Sequence, residues 1–243
     1  QAGIQSPELY GVIESLGDIR KLPEIVKGKD TFVIKPSKGS GGGGITVIIG
    51  TTPNGYRKAS GMLMSHDEMR YYLSNIISGM YSMGGSTDRV IIEYTVKFDP
   101  MFNDIAFQGV PDIRVLLYKG VPTMAMLRLP TRASDGKANL HKGGIGVGIN
   151  MANGKTLFGV QFGEEVDVHP ETGHTVKNYE IPNWPDLLEM ASRFYDITGL
   201  GYVGVDIVLD KDKGPMMLEV NARPGIAIQV ANRAGLLHRL ERV

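Results

Sequence analysis

The chain has 243 residues, 42% hydrophobic and 21% charged, enough for one large domain or two coupled lobes with a real core and too apolar for disorder. Lys plus Arg number 26 and Asp plus Glu number 26, so no overall field argues for nucleic acid or an anionic membrane. Cysteine is absent, which excludes disulfides, thiolate metal sites and a cysteine nucleophile. With no signal-like start and no apolar run of about eighteen residues, a soluble, cytoplasmic protein without a membrane span is expected.

Gln1 to Glu8 reads as a helix end with a glycine cap and an extended Pro-containing connector, so a fragment lacking an N-terminal segment is expected. Thr31 to Pro36 is a buried-type strand ending in Lys35, and the run SKGSGGGG, Ser37 to Gly44, leads into a β-branched strand, Ile45 to Ile49. A Walker loop or a dinucleotide fingerprint needs a helix after its glycines; here a strand follows. A glycine hairpin over phosphates fits better, its N–H groups joined by Lys35 and Lys38, the alternative being a mere flexible turn.

Ser65-His66-Asp67-Glu68 is a capping box, and Met69, Tyr72, Leu73, Ile76 and Ile77 follow at helical spacing. Met62, Met64, Met69, Met80 and Met83 read as core or gap filler, and His66 as solvated. Arg89 to Val96 is a further strand; Glu93 inside it needs a reason, or faces water at an edge. Asp112 to Tyr118, a Lys119-Gly120 turn and Val121 to Leu129 form a hairpin carrying Arg114 and Arg128, for which ordinary ion pairing is the commoner fate. Thr131 to Gly148 gathers Arg132, Lys137, Asn139, His141, Lys142, Gly143 and Gly144, which suggests a phosphate or substrate loop. His169, His174 and His238 receive no role. Asn183-Trp184-Pro185-Asp186 opens a helix running to Gly199, with Leu187, Leu188, Ala191, Phe194 and Tyr195 on its apolar face and Trp184 as an anchor.

Gly204 to Leu209 and Met216 to Gly225 flank the turn cluster Asp210 to Gly214. With Pro215 unable to donate, pairing is expected to begin at about Leu209 and Met216, which sets Asp206 opposite Glu219 with Asn221 on the same face. Like charges across two strands repel, so a compensating cation is expected. Oxygen ligands without His or Cys favour Mg²⁺ or Mn²⁺. Solvated edge carboxylates are the plain alternative. Ile226 to Arg239 is expected to be a closing helix.

In this order, a strand Lys before a glycine hairpin, an acidic strand end, Asp-Ile-Arg, Asn-Leu-His-Lys-Gly-Gly, Gly-Val-Asp and Glu-Val-Asn-Ala-Arg-Pro-Gly resemble the ATP-grasp superfamily, and within it the RimK-like α-L-glutamate ligases, from about Thr31 to Gly225. The resemblance implies an α+β ATP-grasp fold of two lobes with antiparallel sheets gripping ATP: residues 1–96 as the nucleotide-binding lobe with its lid and residues 97–243 as the catalytic lobe with its metal site, the N-terminal pre-grasp domain that such ligases use to help hold substrate being expected to be absent from this chain. It also implies an ATP-dependent carboxylate–amine ligase working through an acyl phosphate, with Mg²⁺, adding glutamate or another amino acid to a peptide or small-molecule acceptor. A non-ligating nucleotide-binding module and an ATP-grasp kinase are the alternatives, and a homo-oligomer stays open.

Carried over by position, Lys35 contacts the α-phosphate, Gly41, Gly42, Gly43 and Gly44 cover the outer phosphates, Glu93, Tyr94 and Thr95 are the adenine hinge, and Asp99 is the ribose partner. Arg128 sits at the transferring phosphate, Asn139, His141 and Lys142 beside the acyl phosphate, and Asp206, Glu219 and Asn221 are the metal ligands. Arg223, where those ligases carry a small residue, binds a substrate carboxylate or pairs with a lid acid. The insert Phe98 to Gly109 is longer and more apolar than the family pattern.

Overall fold

The structure, a computed structural model, describes residues 3–39 and 41–243, and of Met83 only the backbone. The expected helix end at Gln1-Ala2, and Ser40 within the glycine loop, lie outside the described residues. The chain forms two compact units, Pro7–Thr95 and a second built on Val96–Val243.

The first unit is a six-stranded antiparallel sheet of β1 (Leu9–Ile13), β2 (Phe32–Pro36), β3 (Thr46–Thr52), β4 (Gly55–Lys58), β5 (Leu63–Ser65) and β6 (Val90–Glu93), ordered β1-β6-β2-β3-β4-β5. Its helix, His66–Ile77, begins at the expected capping box: Ser65 Oγ accepts from the Glu68 N–H and Glu68 Oε2 from the Ser65 N–H. Met69, Leu73 and Ile76 from that helix bury against Phe32, Ile34, Ile48 and Ile92 from alternate strand positions. Met62 and Met80, expected in the core, are instead exposed. β1, on a stretch that carried no expectation from sequence, covers β6 so that Glu93 is not on an edge strand.

The second unit is a seven-stranded antiparallel sheet of β7 (Asp112–Tyr118), β8 (Val121–Leu129), β9 (Ile145–Ile149), β10 (Thr156–Gln161), β11 (Glu164–Val166), β12 (Tyr202–Asp210) and β13 (Gly214–Asn221), ordered β11-β10-β9-β8-β7-β12-β13. One face receives the helix Trp184–Thr198, capped by Gly199 in the left-handed region. Leu187, Ala191 and Phe194 meet Val115, Leu117, Ala125, Leu127, Val205 and Ile207 there, the burial of each side chain larger than alanine contributing about 2 kcal/mol. Trp184 anchors the helix start and donates from Nε1 to Met151 O at 2.9 Å, whereas Tyr195 lies outside the core, 37% exposed. The insert at Phe98 to Gly109 supplies Phe102 and Ile105 to the same core, which accounts for its apolar character.

The other face is lined by Leu116, Met124 and Met126 under Ile228, Ala231 and Leu236. The closing helix is broken into Ile228–Ala231 and Leu237–Leu240. Arg233 adopts φ 46°, the Ala234 N–H reaches Gln229 O, and the Asn232 amide turns back to Ala125 O at 2.9 Å, which together end the first piece as a Schellman turn. Residues 3–6 belong with this unit rather than with a lobe over 1–96, because Ile4 packs on its core and Gln5 O accepts from the Met217 N–H.

Candidate active site

Strand alternation gathers the charges of the second unit. Ile113, Val115, Leu127 and Ile207 point to the long helix, so Asp112, Arg114, Arg128 and Asp206, each one position away, share the opposite face. The register pairs Asp112 with Arg128, and Asp206 with Arg114 on one side and Glu219 on the other. The last hairpin starts at Asp210 and Gly214, with Pro215 inside the ladder; a bulge next to Asp206 then restores its pairing with Glu219.

Asp206, only 1% exposed, receives Arg114 as a fork, Nε on Oδ1 and Nη2 on Oδ2, both at 2.6 Å. Arg128 donates from Nη2 to the same Oδ2 at 2.6 Å and from Nε to Asp112 Oδ1 at 2.5 Å. Asn221 Nδ2 bridges Asp206 Oδ2 (3.2 Å) and Glu219 Oε1 (3.0 Å). Burial opposes ionisation of Asp206, but Arg128 and Arg114 outweigh it and hold the carboxyl below the usual range. At Asp112 burial wins over Arg128, Asp206 adds repulsion, and the carboxyl is pushed up to about 7. Burial also works against charge on Arg128, yet the two carboxylates hold it more firmly protonated than usual.

This cluster corrects one step of the sequence reasoning. The cation between the opposed carboxylates is guanidinium, so their repulsion alone does not call for a metal. Among the described residues no three His, Cys, Asp or Glu side chains converge as a metal cluster. Glu219, 60% exposed at its side chain, has donors suited to a hard cation, as does the Asn221 amide; Asp206 Oδ2 already accepts three hydrogen bonds and can join only if a donor lets go.

In the first unit, Lys35 Nζ pairs with Glu93 Oε1 at 2.5 Å, which supplies the reason for an acid in an apolar strand. Lys38 is held at both ends, its N–H on Asp88 Oδ2 (3.0 Å) and its Nζ on Thr87 O (3.1 Å). Buried Asp88 also accepts from Ser82 Oγ and the Arg89 N–H, so it fixes the entry to the glycine loop; nothing in its local sequence marks it. At the exit, Tyr72 donates to Gly44 O at 2.6 Å, and a Cβ at Gly44 would lie 2.6 Å from the Tyr81 ring. Between these anchors Gly41 and Gly42 take positive φ. The Tyr94 N–H donates to Glu8 O, and the buried Thr95 hydroxyl has no partner among the described residues. Asp99, in the second unit, caps its own turn by accepting from the Met101 N–H at 2.9 Å.

Asn139 starts a single helical turn, its Oδ1 accepting from the His141 N–H; His141 and Lys142 are exposed. This turn is clamped by two residues that carried no sequence signal. Gln161 Nε2 donates to Gly143 O at 2.8 Å, and the Phe162 ring lies so close that a Cβ at Gly143 would come within 2.7 Å of it. Phe162 is 72% exposed at φ 52° in the two-residue turn between β10 and β11, a position that favours Asn or Gly. His141 Nε2 is 4.0 Å from a Cβ built on Gly225, and Arg223 is exposed on the same segment. Buried His169, given no role from sequence, ties the preceding loop through Nε2 to Pro130 O at 2.9 Å. No described helix is long and apolar enough to cross a membrane.

The family model described as sugar-transfer associated ATP-grasp matches residues 1–243. No curated protein matches the chain by sequence. Among solved structures, D-alanyl-alanine synthetase A from Vibrio cholerae O1 biovar eltor str. N16961 is similar with a TM-score of 0.53 at 11% identity, covering 99% of this chain and 55% of that one. The D-cycloserine synthetase DcsG is similar with a TM-score of 0.50 at 13% identity, covering 99% of this chain and 64% of that one. The chain thus spans less than two thirds of the length of either. The likeness is one of fold: two antiparallel sheets in an α+β, two-lobe ATP-grasp architecture.

Proposed function

Because the chain belongs to the sugar-transfer associated ATP-grasp family, we propose that it joins a carboxylate to an amine using ATP, through an acyl phosphate. The observation that carries this is the sheet face on which Arg128 and Arg114 are held in place by buried carboxylates, next to exposed Glu219. Such cations need no reorganisation as charge gathers on a transferring phosphoryl group, and no protein nucleophile is required. Glu219 and Asn221, with Asp206 after exchange of a donor, would hold Mg²⁺, which when bound neutralises phosphate charge; Mn²⁺ has no separate support. Lys35, Lys38 and Gly41 to Gly44 would take the phosphates. Glu93, Tyr94 and Thr95 would take the adenine edge, where the unpartnered Thr95 hydroxyl offers a polar contact. Asp99 would reach the ribose only with the acceptor capacity its turn leaves free. Asn139, His141, Lys142 and Arg223 would receive the substrate carboxylate. Residues 7–95 are then the nucleotide-binding part and the remainder the catalytic part.

The narrower likeness to RimK-like ligases, and glutamate as the added amino acid, rest on the motifs alone. An amino acid and a peptide or small-molecule acceptor are the proposed partners, in the cytoplasm. A screen of amino acids and peptides for release of ADP and phosphate, with mass spectrometry for the new amide, tests the proposal: an amide formed only with ATP supports it. The three hydrogen bonds that occupy Asp206 Oδ2 favour a second reading, a nucleotide-binding module that does not ligate. ATP binding with no amide across the screen would select it, and a phosphorylated product would select a kinase.

A further inference from the structure

The first unit contains a cavity that shares no residue with the sites above. It encloses about 470 Å³ between the segment around Leu16–Lys21 and the helix His66–Ile77, and adjoins a second of about 330 Å³. Both volumes are those of small-molecule sites. Tyr56 and His66 line both, their rings edge to face at 5.3 Å.

Three features of the larger cavity point to its ligand. Its floor is apolar: Leu22 and Met69 are buried there. Arg20 and Arg70 both line it, while no Asp or Glu does among the described residues. Arg70 meets only Asp67, at 3.3 Å with both side chains highly exposed, a pair that water screens; no described acid pairs with Arg20. Tyr56 is 4% exposed, and its hydroxyl makes no hydrogen bond with a described residue and is not among the hydroxyls shut off from water. It is therefore free to donate to a ligand in the cavity. Excess positive charge, an available hydroxyl and an apolar floor are matched by one kind of molecule.

We propose that this cavity binds a small organic oxyanion, an apolar or aromatic body carrying a phosphate or carboxylate, with Arg20 and Arg70 on the anion, the Tyr56 hydroxyl hydrogen-bonded to it, and Leu22 and Met69 under the body. Inorganic phosphate, lacking the body, binds more weakly. The site is separate from that for ATP.

Titrations of the whole chain with phenyl phosphate, benzoate and inorganic phosphate, followed calorimetrically with and without saturating ATP, test this. Phenyl phosphate, benzoate or both should saturate one site at least tenfold more tightly than inorganic phosphate, whether or not ATP is present; which one does so identifies the anion. Arg20→Ala with Arg70→Ala, both at exposed positions, should weaken that binding at least tenfold and leave ATP affinity unchanged. Tyr56→Phe, which keeps the ring, should weaken it several-fold. Absence of saturable binding at millimolar concentration, displacement by ATP, or affinity unchanged in the double variant would each overturn the proposal.

Discussion

The charged face of the second sheet and the glycine loop of the first differ in how their shape is held. Asp112, Arg128, Asp206 and Arg114 lie on three neighbouring strands, and each ion pair has both partners fixed by register. The glycine loop is anchored by side chains at its ends, Asp88 under Lys38 and Tyr72 under Gly44, with positive-φ glycines between. Fixed charges suit a group that must stabilise a charge as it forms, and a glycine loop anchored at both ends suits one that must approach and leave phosphates.

The contrast predicts different consequences for substitutions. The largest belongs to Arg128→Ala, which leaves buried Asp112 without its ion-pair partner and takes from Asp206 one of its two guanidiniums, and should cost about 3 kcal/mol in a urea melt. Arg128→Lys keeps the charge and should cost less while still losing turnover, since one ammonium cannot reproduce the bridge. A melt of Arg128→Ala superimposable on the parent would show that the cluster is not held in this way. Glu219→Gln should change stability by no more than about 0.5 kcal/mol, because the side chain is exposed, and abolish ATP-dependent turnover. Retained turnover would remove Glu219 from the proposed metal site.

On the loop, Gly42→Val puts a β-branched residue at φ 73°, which should cost about 1 kcal/mol in the melt and weaken ATP binding by more than that loss explains. Calorimetric ATP affinity equal to the parent's would tell against a role on phosphates. The smallest effect sharpens the comparison at the clamp over the cationic turn. Phe162→Asn relieves a strained φ and should raise stability by about 1 kcal/mol. It also frees Gly143 from the ring, so the KM of the carboxylate substrate should rise while the melt improves. A loss of stability would mean the ring is held for packing alone.

Much of this was legible where local chemistry decides. The Lys119-Gly120 turn set the bounds of β7 and β8, and Ser65 with Glu68 set the helix start. Asp206 opposite Glu219 was also legible, although the pairing reaches it by a bulge that Pro215 gave no hint of. What failed depended on partners distant in sequence. β9 is a glycine-interrupted run buried on both faces and read as loop, and the closing helix breaks where Asn232 finds Ala125 O. Lys35 and Glu93 were each noticed, but not as a pair; the diagonal between β2 and β6 joins them. The guanidiniums around Asp206 were missed as its compensating charge because each Arg, taken singly, had only a generic ion pair to offer.

If a phosphoryl group passes to a carboxylate beside Arg128, as proposed, a carboxylate oxygen leaves with it. Isotope transfer reads this: incubation with ATP, Mg²⁺, an amine mixture and amino acids carrying ¹⁸O in their carboxylates, followed by ³¹P NMR of the products. ADP and inorganic phosphate bearing ¹⁸O from the carboxylate are expected, whereas AMP carrying that ¹⁸O would place the attack at the α-phosphate and overturn the proposal.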